Sequence, residues 1–452
     1  MRHGIAATLA AVVALGLAVR GQSPALALVG VDVIPMDRER VLQRQTLVIR
    51  DGRIVEMGPT ATVKPPAGAR IVNGAGKYVL PALGEMHGHL AGPNTALNER
   101  ILALNVVHGV LTVRSMLGHP AQLTLRDRVA RGEVLGPRIY TSGPSANGQS
   151  VTTAAAGEQM ARDQKAAGYD LIKIHPGVPL AAFEALARTA RQVGIPIAGH
   201  VPADVGVHRA IAAGYRTIEH LDGYAEAALR DGVTMPASGS GFFGSSIAPH
   251  LDDRKIPALV QETKAAGVWL VPTETLMVNF LSDEPVTAMM KRPELAYITA
   301  DMRQQWENGL KAFRGGPQNP NAQDRARLMA FRSRLLRQMQ DAGVGILLGA
   351  DSPQILNVPG IATHQELVAV VKAGLTPYEA LASGTRNVAV YLGTDTDGGT
   401  VAPGMRANLL VVNANPLQDV SRTQDRFGVV HEGTWHDRAA LDDMLAALRV
   451  AP

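Results

Sequence analysis

Cysteine is absent from the chain, so there is no disulfide framework, no thiolate metal site and no lipid-attachment cysteine after the N-terminal apolar run. Aromatic residues are only 4% of the 452, and 44 Lys and Arg against 40 Asp and Glu leave a formal net charge of +4. No run of Lys and Arg gathers those cations on one segment, and with few aromatics to interleave, nucleic acid is not an expected partner. What is present is ordinary for a globular enzyme: 46% hydrophobic and 19% charged residues, a balance that argues against disorder. The length suits a large barrel with a smaller module attached.

Residues 1–21 have a logic of their own. Arg2 and His3 form a short positive region, residues 5–19 are rich in Ala, Leu and Val, and Val19-Arg20-Gly21 comes next. This pattern reads as a secretory signal peptide, too short for a stable membrane span. A periplasmic or secreted location without stable membrane insertion is the resulting expectation.

Two alternating apolar segments flank Asp51-Gly52 in TLVIRDGRIVEMGP (46–59), which predicts a hairpin with a type I′ turn. Similar β-rich pieces, MRANLLVV (405–412) and VVHEGTWHD (429–437), lie near the other end. Segments 25–80 and 395–452 are therefore expected to build one small β-sandwich from both termini. Between them, at 81–394, short apolar runs alternate with helical stretches: 83–89, 110–116, 138–143, 170–175, 195–200, 217–220, 268–273 and 345–351. This alternation predicts an α/β fold of the (β/α)8 TIM barrel type. Residues 224–256, with Gly/Ser-rich PASGSGFFGSS, and the helical, charged 277–340 read as insertions. Such insertions cover an active site, decorate a surface or form a subunit contact, and a homo-oligomer stays open.

Barrel chemistry sits at the C-terminal strand ends, and those ends carry His87 and His89, Lys173 and His175, His200, His220 and Asp351. His87 and His89, at i and i+2, project to one face and suit one divalent ion or a simple hydrogen-bonded pair. Lys173 stands inside an apolar strand, where an ammonium is costly to bury. Either its head escapes to a partner, or its pKa falls and the neutral amine takes up CO2 as a carbamate. His200 and His220 each end an apolar strand and read singly as core histidines or jointly as ligands. Asp351, after a nearly apolar segment, is a metal-binding general base or the N-cap of the next segment.

Taken in order, these motifs resemble the amidohydrolase superfamily, in its periplasmic branch near Xaa-Pro dipeptidases and imidazolonepropionase-like amidohydrolases. YVLPALGEMHGHL is similar to that family's first barrel strand, GYDLIKIH to the strand with a carboxylated lysine, and LGADSP with the helices after it to its closing segment. The resemblance implies two divalent metals, zinc by expectation. His87 and His89 would hold one, His200 and His220 the other, with carboxylated Lys173 bridging and Asp351 shuttling the proton. It implies hydrolysis of small-molecule amides, dipeptides or N-acyl amino acids, by a metal-bridging hydroxide. Tyr140, His175, Tyr224 and His364 are the candidate substrate contacts, and Arg114 or Arg138 the candidate carboxylate anchor. The chain departs from the family pattern at Ala82, Glu85, Asn408, Ser115 and 147–149. Rival readings are a mononuclear deaminase or cyclic amide hydrolase, a lactonase or phosphotriesterase, and a catalytically silent metal-binding protein of the envelope.

Overall fold

A computed structural model describes residues 24–450; the expected signal segment lies outside them. The two ends of the chain meet in one eight-stranded sheet. Its order runs Thr434–Asp437, Arg426–His431, Leu409–Val412, Tyr78–Pro81, Leu26–Val33, Leu42–Arg50, Arg53–Pro59, with Arg70–Asn73 paired to Leu26–Val33. The junction is the antiparallel pair Leu409–Val412 against Tyr78–Pro81, with Leu410 opposite Leu80. The expected hairpin forms with Arg50 opposite Arg53, and Asp51 and Gly52 both take positive φ, 49° and 74°, as a type I′ turn requires.

The middle of the chain is α/β with parallel sheets. Leu83–Gly88, Val110–Ser115 and Arg138–Thr141 make one sheet; Ile172–Ile174, Ile197–Gly199, Thr217–Glu219 and Trp269–Val271 make another. Alternation decides their faces. Ile172, Ile174, Ile197 and Ile218 pack outward, in one core cluster with Phe183 and Leu186 of helix Leu180–Val193 and with Leu328, Phe331 and Leu335 of helix Ala322–Ala342. Residues 277–340 thus do more than decorate, since their last helix closes the core.

The expected eighth strand, 345–351, does not form as a strand. Only Ile346 bridges, to Leu270. The Leu348 amide donates to the Ser383 carbonyl at 3.0 Å and the Ala350 amide to Glu85 Oε1 at 2.8 Å. With those donors spent outside a strand ladder, the segment cannot extend one. Among the described residues no helix is long and apolar enough to cross a membrane.

Leu410, fully buried, shares a core cluster with Leu80, Val110, Leu348 and Leu381, and so ties the terminal sheet to the parallel region. Truncation to alanine removes methyl groups and leaves a cavity, so Leu410→Ala should lower unfolding free energy in urea by about 2–5 kcal/mol. Val55→Ser, at a side chain 49% exposed, should stay within about 0.5 kcal/mol. Equal effects from the two would contradict this packing.

Candidate metal centre

The C-terminal ends of these strands bring one set of polar side chains together. Left-handed backbone at His220 (φ 62°), Thr273 (φ 50°) and Asp351 (φ 60°) turns the chain sharply where each strand or near-strand stops. Such conformations are uncommon for non-glycine residues and gather at functional sites. Lys173 lies on the face opposite Ile172 and Ile174 and is fully buried. Its stem runs beside Gly199, where a Cβ would come within 2.9 Å of Lys173 Cδ and 2.3 Å of the Ile174 carbonyl oxygen. Only glycine leaves that passage open.

His87 and His220 have ring centroids 4.6 Å apart, as do His200 and His220, and those of His87 and His89 are 5.4 Å apart. Lys173 Nζ lies 3.2 Å from His87 Nε2. Asp351 Oδ1 is 3.2 Å from His89 Nε2 and 3.7 Å from His87 Nε2. Ligand atoms of His87, His220 and Asp351 all lie within 4.8 Å of one another, a spacing that could hold a metal ion.

Each imidazole is held at its other nitrogen, His89 Nδ1 by Gln354 Nε2 at 3.4 Å and the other three by side-chain oxygens. His87 Nδ1 meets Glu219 Oε2 at 2.6 Å, His200 Nδ1 meets Asp222 Oδ2 at 3.1 Å, and His220 Nδ1 meets Thr273 Oγ1 at 2.8 Å. An Nδ1–H donated outward leaves the Nε2 lone pair facing the centre, the usual arrangement of a ligating histidine. Burial holds the pKa values of His87, His89, His200 and His220 well below the ordinary histidine value, with Lys173 reinforcing each. The imidazoles are therefore neutral, the form that binds metal. Burial likewise draws the Lys173 ammonium down and pushes the Asp351 carboxyl up. His89 Nε2 and Asp351 Oδ1 are buried 3.2 Å apart, out of line for a hydrogen bond to each other, and neither has another partner. Orphaned polar atoms are costly inside a protein, and four neutral imidazoles, a carboxylate and a buried amine form a donor set that fits divalent ions.

Of the further candidates, the structure places one beside the cluster. His175 is half-buried, its ring stacked on His200 at 5.3 Å, and its Nδ1 has no partner. Burial lowers its pKa to about 3. Tyr140 is placed elsewhere: with Arg138 it lines a small cavity near Pro81, Thr385 and Asp397, at the N-terminal ends of the strands. Tyr224 is fully buried, and its hydroxyl is bonded to Thr263 Oγ1 at 2.7 Å, inside the apolar core. His364 is buried between Thr423 Oγ1 (2.8 Å) and the His108 carbonyl (2.7 Å), so it fastens its helix and does not face the centre. Arg114 is no free anchor. It donates to the Met86 carbonyl, Thr217 Oγ1 and Tyr391 Oη, and pairs with Glu219 Oε1 at 2.9 Å.

Sequence reasoning missed the groups behind the histidines. Glu219, buried between Arg114 and His87, immediately precedes His220 in TIEH, and an acid inside an apolar strand was the available signal. Asp222 behind His200 carried none. Neither did Arg332, which bonds the His220 and Pro272 carbonyls at 2.7 and 2.9 Å and pairs with Glu274 at 2.6 Å.

With this arrangement in view, comparison with known proteins becomes informative. The family model described as "Amidohydrolase family" matches residues 78–434. The chain belongs to the amidohydrolase family. Ochratoxinase of Aspergillus niger is 33% identical to this amidohydrolase over 111 residues, 24% of this chain and 22% of the relative. The aligned segment is thus under a quarter of that relative's length. Among solved structures, a putative prolidase from Bifidobacterium longum is 26% identical, covering 94% of this chain and 99% of the other at a TM-score of 0.65. Bottromycin amidohydrolase is 22% identical with a TM-score of 0.69, covering 95% and 90%, a likeness of fold.

Because Glu219 orients His87 and neutralises Arg114, Glu219→Gln should weaken metal binding about 10–100-fold, read by competition with a chelator. Unchanged affinity would show that His87 needs no anionic partner.

Proposed function

We propose that this amidohydrolase is a binuclear metal-dependent hydrolase of small-molecule amide bonds. The observation that carries the reading is the convergence of His87, His89, His200, His220, Lys173 and Asp351, with Asp351 Oδ1 and His89 Nε2 buried and unbonded. Bound divalent ions, zinc by expectation, would supply hydroxide from water near neutral pH and polarise the scissile carbonyl. His87 and His89 would hold one ion and His200 and His220 the other.

Lys173 completes the pair of sites as a carbamate. Buried and pushed toward neutrality, its amine adds to CO2: the nitrogen lone pair forms the N–C bond and one proton leaves to solvent. The product is anionic, which removes an unfavourable buried cation from among four imidazoles. Its Nζ lies 3.2 Å from His87 Nε2, among the histidines that the carbamate would serve. Asp351 takes the proton of the attacking water and returns it to the leaving nitrogen, a role that suits a carboxyl whose pKa is raised by burial.

The frame is read as a (β/α)8 barrel. Single links supplement the two parallel sheets: Ser142 bridges Leu171, Leu270 bridges Ile346, and the Met86 amide donates to the Leu348 carbonyl. These links support reading the eight segments as a circuit around the centre. The terminal sheet is read as a separate β-sandwich module, and residues 1–21 as a signal that sends the chain to the periplasm or outside the cell.

Asp351→Asn tests the chemistry. The zinc-loaded variant should lose about 10²–10⁴ in kcat on N-acyl amino acids and dipeptides while its secondary structure, monitored by circular dichroism, stays unchanged. Turnover within about threefold of the parent would remove Asp351 from the proton path.

A further inference from the structure

The chain has 7 phenylalanines, and four of them meet beside the histidine cluster. Phe242 packs against Phe280 at 4.6 Å and Phe313 at 5.0 Å, with Phe280 edge-on to Phe313 at 5.2 Å. These three satisfy one another. Phe243 meets this group edge-on at Phe242, 4.8 Å away, and carries it to the imidazoles: its ring lies 5.1 Å from that of His220 and 6.1 Å from that of His200, nearly parallel to the latter at 17°. Phe242 and Phe313 pack against the large apolar cluster, whereas Phe243 belongs to none of the clusters among the described residues.

The backbone that aims this ring is strained. Phe243 takes φ 47° and ψ 44°, between Gly241 (φ 78°) and Gly244 (φ 92°). For a bulky residue that conformation is an outlier, held only when its surroundings over-determine it. They do: Ser245, buried, accepts from the Phe242 amide at 2.9 Å and donates to the Gln318 carbonyl at 3.0 Å, and the Ser246 amide donates to the Ser240 carbonyl at 2.8 Å. A fixed, half-buried aromatic face thus borders the imidazoles assigned above to one metal. The two arginines bonded within the cluster, Arg114 and Arg332, are each paired to a carboxylate, Glu219 and Glu274. Neither is free to receive a substrate carboxylate.

We propose that Phe243 is the specificity-determining wall of the substrate site. It selects amides whose group next to the scissile bond is aromatic, by stacking, rather than by pairing a free carboxylate with a buried arginine. The proposal rests on the hydrolase reading and adds the substrate class. Offset or edge-on ring contacts of this kind favour an aromatic ligand by about tenfold over a methyl analogue.

The test uses binding rather than turnover. Benzohydroxamate and acetohydroxamate, which share the polar head and differ in the ring, are titrated calorimetrically into the zinc-loaded full chain, its Phe243→Ala variant and its Phe243→Tyr variant. The parent and Phe243→Tyr should bind benzohydroxamate about tenfold more tightly than acetohydroxamate; in Phe243→Ala the ratio should collapse to about two or less. The same ratio in Phe243→Ala as in the parent, or no preference or no binding in the parent, overturns the proposal. Failure of the hydrolase reading looks different: the ratio and its loss persist while no amide of either kind is cleaved.

Discussion

Glu219 brings a negative charge into the middle of the fold, with no solvent contact, and the order of the centre depends on how that charge is met. One oxygen pairs with Arg114 and the other with His87 Nδ1; Thr217 Oγ1 donates to the first as well. Buried ion pairs are not strong sources of stability, because desolvation offsets much of the attraction. Their value lies in geometry, since removing one partner leaves an uncompensated charge. Here the pair fixes the tautomer of His87 and thereby the direction in which its Nε2 lone pair points. Arg114 also bonds the Met86 carbonyl and Tyr391, so the same guanidinium links the first parallel strand to a helix near the C-terminus.

That constraint sets the electrostatics of the cluster. Four imidazoles, an amine and a carboxyl sit where water solvates charge poorly, so every member is pushed toward its neutral form. Neutral imidazoles and an unprotonated amine are nucleophiles and ligands, whereas their protonated forms are neither. Burial that would be a liability for stability is what makes the donors available. The second layer repeats the pattern of His87: Asp222 behind His200, Thr273 behind His220, and the Arg332–Glu274 pair bracing the His220 carbonyl. Each fixes an orientation and turns the inner nitrogen toward the cluster.

Much of this was legible in the sequence because it depends on period and order. Alternating apolar runs located seven of the parallel strands to within a few residues, and Asp51-Gly52 located the hairpin. The ordered series His87, His89, Lys173, His200, His220, Asp351 marked the residues that the fold brings together. What was illegible depends on contacts between distant segments. Segment 345–351 has the composition of a strand, but Ser383 and Glu85 capture its amides. Arg138 starts a correctly located strand and Tyr140 is its third residue, yet both side chains line the small cavity beside Thr385 and Asp397 and not the histidine cluster. Tyr224 and His364 look available in a linear reading and are consumed by Thr263, Thr423 and the His108 carbonyl. Phe243 sat inside a Gly/Ser-rich stretch whose composition announces a loop and says nothing of where either of its two rings points.

The most direct test of the central claim is the metal content of the mature protein purified in bicarbonate, for the parent and for Lys173→Ala. The account predicts about two divalent ions per chain in the parent and a sharp fall when the lysine, and with it the carbamate bridge, is removed. One ion per chain, unaffected by Lys173→Ala, would contradict it and leave Lys173 a buried amine with no part in holding metal.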